Sequence, residues 1–596
     1  MRESNKLFKS NPKVNIHFIE IISILLLSGL EFYFLQSSCS VQRYQVTFAR
    51  GLLNVCLLVL LNLVLLTLLA QLKMTIFLSL FLCASLAIIN YYTICLHGSP
   101  LNIDEVENIF TAFDALSGYD IQLDQIPAII VVCFCLICLI LVFFKRNDKL
   151  PVKRFTLHRT VLFVAASIYI VLCYALPSAI RPKYVITWSW QNAYGTYGYV
   201  TCCIEDIYSR SKVIVEPDDY EMLETYNLAQ VLSNKNNADR DGQILRKKVD
   251  PDIILILNET FYDLNRAANV ELDEDPFVKI HSMDDLYHGY VVVPTIGGGT
   301  NRSEYELLTS NSLSIMRSNI TPFNLLNLKD ANSIVSYMNE LGYVTIGAHP
   351  AIETNYNRNN AYFDLGFDQV YFKPDFKDVK CYRQYISDEC AYSNLIEWYE
   401  NSKEEGPVFA YLLTIQNHGD YAGINQAPEL IHDNSGLFSD PDMTDEFITS
   451  VSKSDEAFFA LTEYFKNSDR PVIIGMVGDH CPAFAKELLE VEHDDELDVL
   501  LRETPAYIWA NYDLGIQDYD IGEMSLISFV PLMLKMAGIP NNPYYDYILQ
   551  LKENVPIFTV NGDAYTSDHK RIPDGSEFLK TYQQLEYFNI KNTEWE

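Results

Sequence analysis

Five apolar segments occupy the first 183 residues of this 596-residue chain, and they limit what that part can fold into. Each is about 20 residues long, the length that a helix needs to cross a hydrocarbon core of about 30 Å. In lipid the backbone N–H and C=O groups of a segment must hydrogen-bond to one another, so segments of this kind must be helical. They lie near residues 16–36, 51–72, 74–96, 126–144 and 159–179. No signal-peptidase pattern follows the first segment, so we expect a retained transmembrane domain over residues 1–180.

Charge divides the chain into two parts. Residues 1–183 carry 15 Lys and Arg against 10 Asp and Glu, a net charge of +5. The whole chain has a net charge of −33, which leaves −38 for residues 184–596. A nucleic-acid partner needs Lys and Arg to neutralise its phosphates, so this acidic part argues against nucleic acid as a partner.

Loop charge predicts the orientation in the membrane, because Lys and Arg concentrate on the cytoplasmic side. Four Lys and Arg precede the first segment, and five occupy residues 145–154, whereas loop 97–125 has six acidic residues and neither Lys nor Arg. Five spans with a cytoplasmic N-terminus place everything after about residue 180 outside the cytoplasm. We therefore expect a multi-pass cell-membrane protein whose acidic part is extracytoplasmic.

Three regions follow the transmembrane domain. Residues 181–250 indicate a connector that begins with juxtamembrane aromatic side chains, residues 251–575 a folded domain, and residues 576–596 an acidic, aromatic C-terminal tail with no assigned role. Eight of the 13 cysteines lie in or beside the apolar segments. Cys381 and Cys390 are near enough in sequence to pair, but the remaining cysteines are too few for a disulfide scaffold.

Short β-rich apolar runs alternate with helical periods from residue 252 onwards. This alternation predicts an α/β domain with a central, mostly parallel sheet flanked by helices, in which ligands bind beyond the carboxyl ends of the strands. The predicted strands are Ile253–Leu257, Tyr290–Val293, Tyr343–Gly347, Val408–Thr414, Val472–Val477 and Ala506–Ala510. The predicted helices include Asn324–Leu341, Glu389–Asn401, Thr444–Lys466 and Ser525–Ala537.

Polar side chains follow several of these strands. Glu259 follows the first strand, and Asp479 with His480 follows the fifth. The second strand leads into Gly297–Gly299 and Thr300, where glycines let the backbone approach a ligand and a helix N-terminus attracts anions. Singly, each residue is as well explained by a solvated side chain, a helix cap or a turn. Their joint position favours a site, and this mixture of ligands suits Mn²⁺ or Mg²⁺ better than a thiolate zinc site.

Seven short motifs run along the chain. They are His97–Leu101, Tyr197–Tyr199, Leu257–Phe261, Gly298–Thr300 with Glu304–Glu306, Tyr356–Arg358 with Gly366–Asp368, Gln416–Gly419, and Gly478–Pro482. In this order they resemble the lipoteichoic acid synthase family. Its members are sulfatase-like glycerophosphotransferases of the alkaline phosphatase superfamily, anchored by five transmembrane helices.

The resemblance implies a site residue by residue. Its metal ligands would be Glu259, Thr300, Asp479 and His480, and its substrate-binding residues Arg358, His349 and His418. The ion would be Mn²⁺, with Mg²⁺ as the alternative, and coordination would favour the alkoxide of Thr300, the nucleophile. His418 would also act in catalysis by protonating the leaving oxygen. Without the resemblance, Arg358 and His349 are equally well explained as structural residues.

The implied reaction starts from phosphatidylglycerol in the lipid bilayer. Attack by the threonine would form a glycerophospho-threonine and release diacylglycerol, and a hydroxyl of a glycolipid, teichoic acid or wall polysaccharide would then accept the glycerophosphate. Tyr356, where polymerising members of the family have tryptophan, and Cys481–Phe484 depart from the family pattern around the glycerol pocket. These departures bear on the acceptor more than on the chemistry.

Other functions remain open. A sulfatase requires Cys or Ser followed by x-Pro-x-Arg at the nucleophile, which Thr300–Glu304 lacks. A phosphoethanolamine transferase and a lipid phosphodiesterase of the same superfamily are the enzymatic alternatives. An inactive binding or partner protein of cell-envelope polymer synthesis is the non-catalytic alternative.

Overall fold

The structure is a computed structural model that divides the chain into two compact units, Met1–Ser211 and Lys212–Glu596. It describes residues 12–39, 46–69, 71–97, 100–101, 124–143, 164, 190–210, 250–316, 321–329, 331–419, 421, 427, 429–491, 495–560, 562–572 and 577–591.

Four helices in the described part of the first unit are long and apolar enough to cross a membrane. They are α1 (Pro12–Ser38), α2 (Phe48–Leu69), α3 (Leu72–His97) and α4 (Gln125–Phe143). They correspond to the first four predicted spans; the fifth, 159–179, lies outside the described residues apart from Val164. Glu31 is buried among these helices and accepts hydrogen bonds from Asn62 Nδ2 and Ser79 Oγ, each at 2.6 Å. A carboxyl group within an apolar span thus has partners on two neighbouring helices.

Two short helices, α5 (Trp190–Tyr197) and α6 (Tyr199–Arg210), pack against the apolar helices. Asn54 Nδ2 donates to the carbonyl of Tyr197 at 2.8 Å. Between the two helices, Gly198 has a φ of +89°, and a Cβ there would lie 2.5 Å from Asn54 Nδ2, so this turn requires glycine. The first part of the predicted connector therefore belongs to the N-terminal unit, and residues 211–249 lie outside the described residues.

The second unit is built on a mixed sheet. Its strands are β1 (Asp252–Asn258), β2 (Tyr287–Val292), β3 (Val344–His349), β4 (Gln369–Phe372), β5 (Cys381–Tyr382), β6 (Tyr385–Ile386), β7 (Val408–Leu413), β8 (Val472–Gly478), β9 (Glu503–Ala510), β10 (Asp520–Ser525), β11 (Ile557–Phe558), β12 (Ala564–Tyr565) and β13 (Arg571–Ile572). The large sheet has the order β10-β2-β9-β8-β1-β7-β3-β4. Its neighbours are parallel except for β9, which runs antiparallel to β2 and β8. Strands β5 and β6 form a hairpin, and β11 to β13 a small antiparallel sheet.

All six predicted strands are present, and the large sheet has two more, β4 and β10. These two lie at its edges and are only partly buried. Edge strands do not need the continuous apolar run that marks a buried parallel strand, so the sequence pattern does not reveal them.

The helices of this unit are α7 (Val278–His281), α8 (Thr300–Thr309), α9 (Pro322–Leu325), α10 (Ile334–Glu340), α11 (Arg358–Asp364), α12 (Asp388–Ser402), α13 (Pro441–Phe465), α14 (Glu487–Val491), α15 (Asp495–Leu500), α16 (Phe529–Ala537), α17 (Pro543–Asn554) and α18 (Glu577–Lys591). The predicted helix Asn324–Leu341 is wrong. The chain becomes extended at Leu326, and Ser333 caps a new helix by accepting from the backbone N–H of Ser336.

Two apolar clusters cover the two faces of the sheet, because successive side chains of each strand point to opposite faces. In β1, Ile253, Leu255 and Leu257 belong to one cluster, and Ile254 and Ile256 to the other.

The C-terminal helix α18 adds Tyr582 and Leu585 to the first cluster, and both side chains are fully buried. The hydroxyl of Tyr582 accepts from the backbone N–H of Ser312 at 2.9 Å. The residues predicted to form a C-terminal tail, 576–596, therefore include a helix that packs into the domain. Within the described residues, Cys381 and Cys390 are free thiols rather than a pair.

Candidate active site

Two neighbouring parallel strands bring three predicted metal ligands together. Glu259 follows β1, Asp479 and His480 follow β8, and Asn258 pairs with Gly478 where these strands end. One oxygen of each carboxylate and one ring nitrogen of His480 lie within 4.8 Å of one another, and all three residues are buried.

The hydrogen bonds of His480 determine which of its nitrogens faces this group. Nδ1 lies 2.8 Å from the carbonyl of Cys481. A carbonyl oxygen only accepts, so Nδ1 carries the hydrogen and Nε2 presents a lone pair. Nε2 lies 3.2 Å from Asp479 Oδ2. This buried oxygen has no hydrogen-bond partner among the described residues. Two facing lone pairs at this distance fit a cation between them.

Electrostatics supports the same reading of the site. Burial raises the pKa of Glu259, and the neighbouring Asp479 raises it further. Burial also raises the pKa of Asp479 to about 7 and lowers that of His480. Two carboxylates and a neutral imidazole are a donor set that divalent ions such as Mn²⁺ and Mg²⁺ accept. The residues present therefore fit a divalent cation.

The turn Gly297–Gly299 places Thr300 next to the group of predicted metal ligands. Gly297, Gly298 and Gly299 have φ values of +61°, +126° and +92°, in the region that favours glycine. A Cβ on Gly297 would lie 2.7 Å from the Cα of Ala483, so the loop can pack there only with glycine. Thr300 is the first residue of α8, and its Oγ1 donates to Glu259 Oε2 at 3.3 Å. The hydroxyl predicted as nucleophile is thus in contact with a predicted metal ligand.

Arg358 lies inside the domain, not in a surface loop. It is 2% exposed, and its Nε donates to Glu304 Oε2 at 2.9 Å. Burial opposes the charge of Arg358, but Glu304 outweighs this effect and raises the pKa of the guanidinium. The guanidinium carbon lies 5.0 Å from the ring centre of Tyr356, whose φ is +57°. The structure thus places the arginine beside the one tyrosine that departs from the family pattern.

Glu304 is a residue whose role the sequence analysis missed. It is fully buried and also accepts from the hydroxyls of Tyr362 and Tyr411. Its spacing in the sequence could have indicated this role, because residues four apart share one face of a helix and Glu304 follows Thr300 by four residues. The helix that begins at Thr300 therefore also carries the partner of the predicted phosphate-binding arginine.

The other two predicted histidines lie at the ends of β3 and β7. His349 is 2% exposed, and its Nδ1 lies 3.1 Å from the carbonyl of Leu413. Burial and the nearby Arg358 hold the pKa of His349 well below its usual value, so this ring is neutral. His418 is exposed, and when protonated it lowers the pKa of the nearby Glu259 and Asp479. His349 thus lies near Arg358, and His418 lies near the carboxylates of Glu259 and Asp479.

A buried polar network behind the site was also missed. Asn258 precedes Glu259, and Asn417 precedes His418; Asn417 Nδ2 donates to Asn258 Oδ1 at 3.3 Å. Asp388 Oδ2 accepts from Asn258 Nδ2 at 3.1 Å and from Ser454 Oγ at 2.6 Å. The asparagines before Glu259 and His418 were visible in the sequence, but their partners on α12 and α13 were not.

A second group of acidic and histidine side chains, Glu503, Glu523 and His569, lies elsewhere in the domain. Arg266 Nε is 2.6 Å from one oxygen of Glu503, and His569 Nε2 is 2.7 Å from the other. Hydrogen bonds to the two glutamates raise the pKa of His569 to about 10. With Arg266 and a protonated His569, the group has as many positive as negative charges, so it is an ion-pair cluster.

Comparison with known proteins agrees with this fold. Residues 251–539 match the sequence profile of the Sulfatase family. A putative cyclic β-1,2-glucan modification protein from Rhizobium meliloti (strain 1021) is 27% identical over 364 residues, which cover 56% of this chain and 54% of that protein. The chain thus spans about half the length of this relative.

Solved structures similar to the chain include a phosphoglycerol transferase and a lipoteichoic acid synthase. The phosphoglycerol transferase GacH from Streptococcus pyogenes, in complex with sn-glycerol-1-phosphate, has a TM-score of 0.52 and 21% identity, over 63% of this chain and 94% of that one. The lipoteichoic acid synthase LtaP from Listeria monocytogenes has a TM-score of 0.45 and 16% identity, over 60% of this chain and 98% of that one. The likeness to GacH shows the fold. The predicted sulfatase-like α/β fold with a central, mostly parallel sheet is thereby confirmed.

Proposed function

Because residues 251–539 match the sequence profile of the Sulfatase family, we propose that this chain is a membrane-anchored transferase that moves glycerol phosphate from phosphatidylglycerol to an acceptor hydroxyl. The observation that carries the proposal is the hydrogen bond from Thr300 to Glu259, inside a buried group that fits a divalent cation. A threonine here replaces the nucleophile of a sulfatase and is suited to phosphoryl transfer. The likeness to GacH supports glycerol phosphate as the transferred group.

The reaction has two steps. In the first, Thr300 Oγ1, as the alkoxide, forms a bond to the phosphorus of the donor, the bond from phosphorus to the diacylglycerol oxygen breaks, and the protonated His418 gives that oxygen a proton. In the second, an acceptor hydroxyl bonds to the phosphorus, gives its proton to His418, and the bond to Thr300 breaks. A divalent cation held by Glu259, Asp479 and His480, Mn²⁺ before Mg²⁺, supplies positive charge that favours the threonine alkoxide.

The remaining site residues orient the glycerophosphate. Glu304 holds Arg358 through Nε, so its direction is set before a phosphate binds, and less freedom is lost on binding. His349 is neutral, and its Nδ1 hydrogen is used by the carbonyl of Leu413, so Nε2 can accept from a glycerol hydroxyl.

The four apolar helices give the enzyme access to a lipid donor. We place the N-terminus in the cytoplasm and the sulfatase-family domain outside, from the charge of the loops. Donor and site then share the outer surface of the membrane, and the acceptor is a glycolipid, a teichoic acid or a wall polysaccharide.

The test is intact-mass spectrometry of the full-length protein in detergent, with Mn²⁺ and either phosphatidylglycerol or phosphatidylethanolamine. We expect a glycerophosphate adduct with the first lipid, together with released diacylglycerol. Thr300→Ala should form no adduct, whereas Thr309→Ala, at the other end of the same helix, should form it normally. A phosphoethanolamine adduct would reassign the donor, and the absence of any adduct and of diacylglycerol would overturn the proposal.

A further inference from the structure

The hairpin β5–β6 contains an arginine in an unusual position. Arg383 lies in the two-residue turn between the strands, yet only 1% of it is exposed. Its φ is +53°, a conformation that a non-glycine residue adopts only at a cost. An arginine in a hairpin turn ordinarily extends into solvent, so specific contacts must account for the burial of Arg383.

The guanidinium of Arg383 binds the loop that carries His418. Its Nη2 donates to the carbonyl of Gln416 at 2.6 Å, and its Nη1 donates to the carbonyl of His418 at 3.2 Å. The ring of Tyr421 lies 5.0 Å from the guanidinium carbon, and Glu446 balances the charge at 3.7 Å. One buried side chain therefore fixes two carbonyls of this loop.

Tyr385, the next strand residue of the hairpin, reaches the imidazole itself. Its hydroxyl donates to the carbonyl of Gly419 at 2.8 Å and lies 3.1 Å from Nδ1 of His418. That Nδ1 is also 2.8 Å from the carbonyl of Gly419. Since a carbonyl only accepts, Nδ1 carries the hydrogen and the lone pair is on Nε2.

We propose that Arg383 and Tyr385 are positioning residues, which hold His418 as the tautomer whose Nε2 exchanges protons with the substrate oxygens. This inference rests on the proposed transferase function, in which His418 gives and takes a proton. Neither residue touches the reacting atoms. Arg383 fixes the path of the loop, and Tyr385 with the Gly419 carbonyl fixes the ring and its hydrogen.

A change of donor tests the positioning role, in full-length protein in detergent. A nitrophenyl ester of glycerol phosphate has a leaving group that needs no proton, unlike diacylglycerol. We expect Tyr385→Phe to lower turnover of phosphatidylglycerol about tenfold, equivalent to about 1.4 kcal/mol in the barrier. The same substitution should change the rate at which the nitrophenyl ester modifies Thr300 by less than about twofold. Loss of general acid catalysis slows the departure of poor leaving groups, whereas nitrophenolate leaves without a proton. Equal losses on both donors would overturn the inference.

Tyr382→Phe is the matched control. Tyr382 belongs to the same hairpin, but its hydroxyl donates to Glu446 at 2.7 Å. Tyr382→Phe should leave the rates with phosphatidylglycerol and with the nitrophenyl ester near those of the wild type. If Tyr382→Phe reproduced the effect of Tyr385→Phe, hairpin stability rather than positioning would explain the loss.

A second measurement is independent of activity. ¹⁵N-histidine NMR of the metal-bound wild-type protein, at a pH at which the imidazole of His418 is neutral and with His418→Gln to assign the signal, should show His418 with hydrogen on Nδ1 and not on Nε2. Tyr385→Phe should populate both tautomers. A wild-type His418 with hydrogen on Nε2, or a mixture, would overturn the inference. If the wild type formed no adduct with either donor, the proposed function would fail, while this spectrum would still decide how His418 is held.

Discussion

Replacing Asp479 by asparagine should stabilise the metal-free protein while abolishing its response to metal. Asp479 and Glu259 are buried, and their ligand oxygens lie within 4.8 Å of each other. Two unit charges at that separation repel by about 3 kcal/mol at an effective dielectric constant of about 20. Asparagine removes the charge but keeps Oδ1, which accepts from the backbone N–H of Thr260 at 2.6 Å. The structure therefore predicts a more stable fold at the expense of the cation site.

Thermal unfolding of full-length protein in detergent at pH 8 measures the effect. After chelation, Asp479→Asn should unfold several degrees above the wild type. Added Mn²⁺ at about 100 times its Kd should stabilise the wild type by about 2.7 kcal/mol and leave the variant unchanged. A variant less stable than the chelated wild type, or an equal Mn²⁺ shift in both proteins, would refute the reasoning.

The effect should depend on pH with a definite sign. Burial raises the pKa of Asp479 to about 7, above the value of about 3.9 expected for an unfolded chain. The folded protein thus holds this proton more tightly, and the chelated wild type loses stability as the pH rises from about 4 through 7. The advantage of Asp479→Asn should consequently shrink as the pH is lowered from 8 towards 5.

Asp388→Asn is the matched control for this substitution. Asp388 is also buried, but its Oδ2 accepts from Asn258 and from Ser454. Asparagine would weaken these bonds without relieving a repulsion, so it should lower stability by about 1 kcal/mol.

Three further outcomes follow from other contacts. Glu304→Gln leaves the buried Arg358 without its anion and should destabilise the domain by about 3–5 kcal/mol in chemical denaturation. Gly297→Ala should lower adduct formation at least about tenfold, because the clash with Ala483 would displace the loop that leads into Thr300 and misplace its hydroxyl. Gly342→Ala, where a Cβ would have no neighbour within 4 Å, should leave activity unchanged. His569 has a pKa of about 10, so its ion pairs stabilise below pH 6.5 and are lost as pH rises towards 10; His569→Gln should flatten that decline in thermal stability.

Local pattern predicted much of the fold. The buried strands appeared as continuous apolar runs, and the spanning helices as apolar segments, because both signals depend on neighbours in sequence. The edge strands β4 and β10 and the break between α9 and α10 escaped prediction, because partial burial and a capping serine give weak local signals. The helix after residue 576 escaped for another reason: the partner of its apolar face lies in distant parts of the chain.

The sequence by itself indicated which residues form the candidate site, because Glu259, Thr300, Asp479 and His480 stand where strands end or a helix begins. Parallel strands bring such positions to one edge of a sheet whatever surrounds them. Only the tertiary structure decided how the surrounding groups act. The pairing of Arg358 with Glu304 and the tautomers of the histidines depend on contacts between elements far apart in sequence. Burial and hydrogen bonding set charge and proton position, and both are properties of the packed fold rather than of any segment alone.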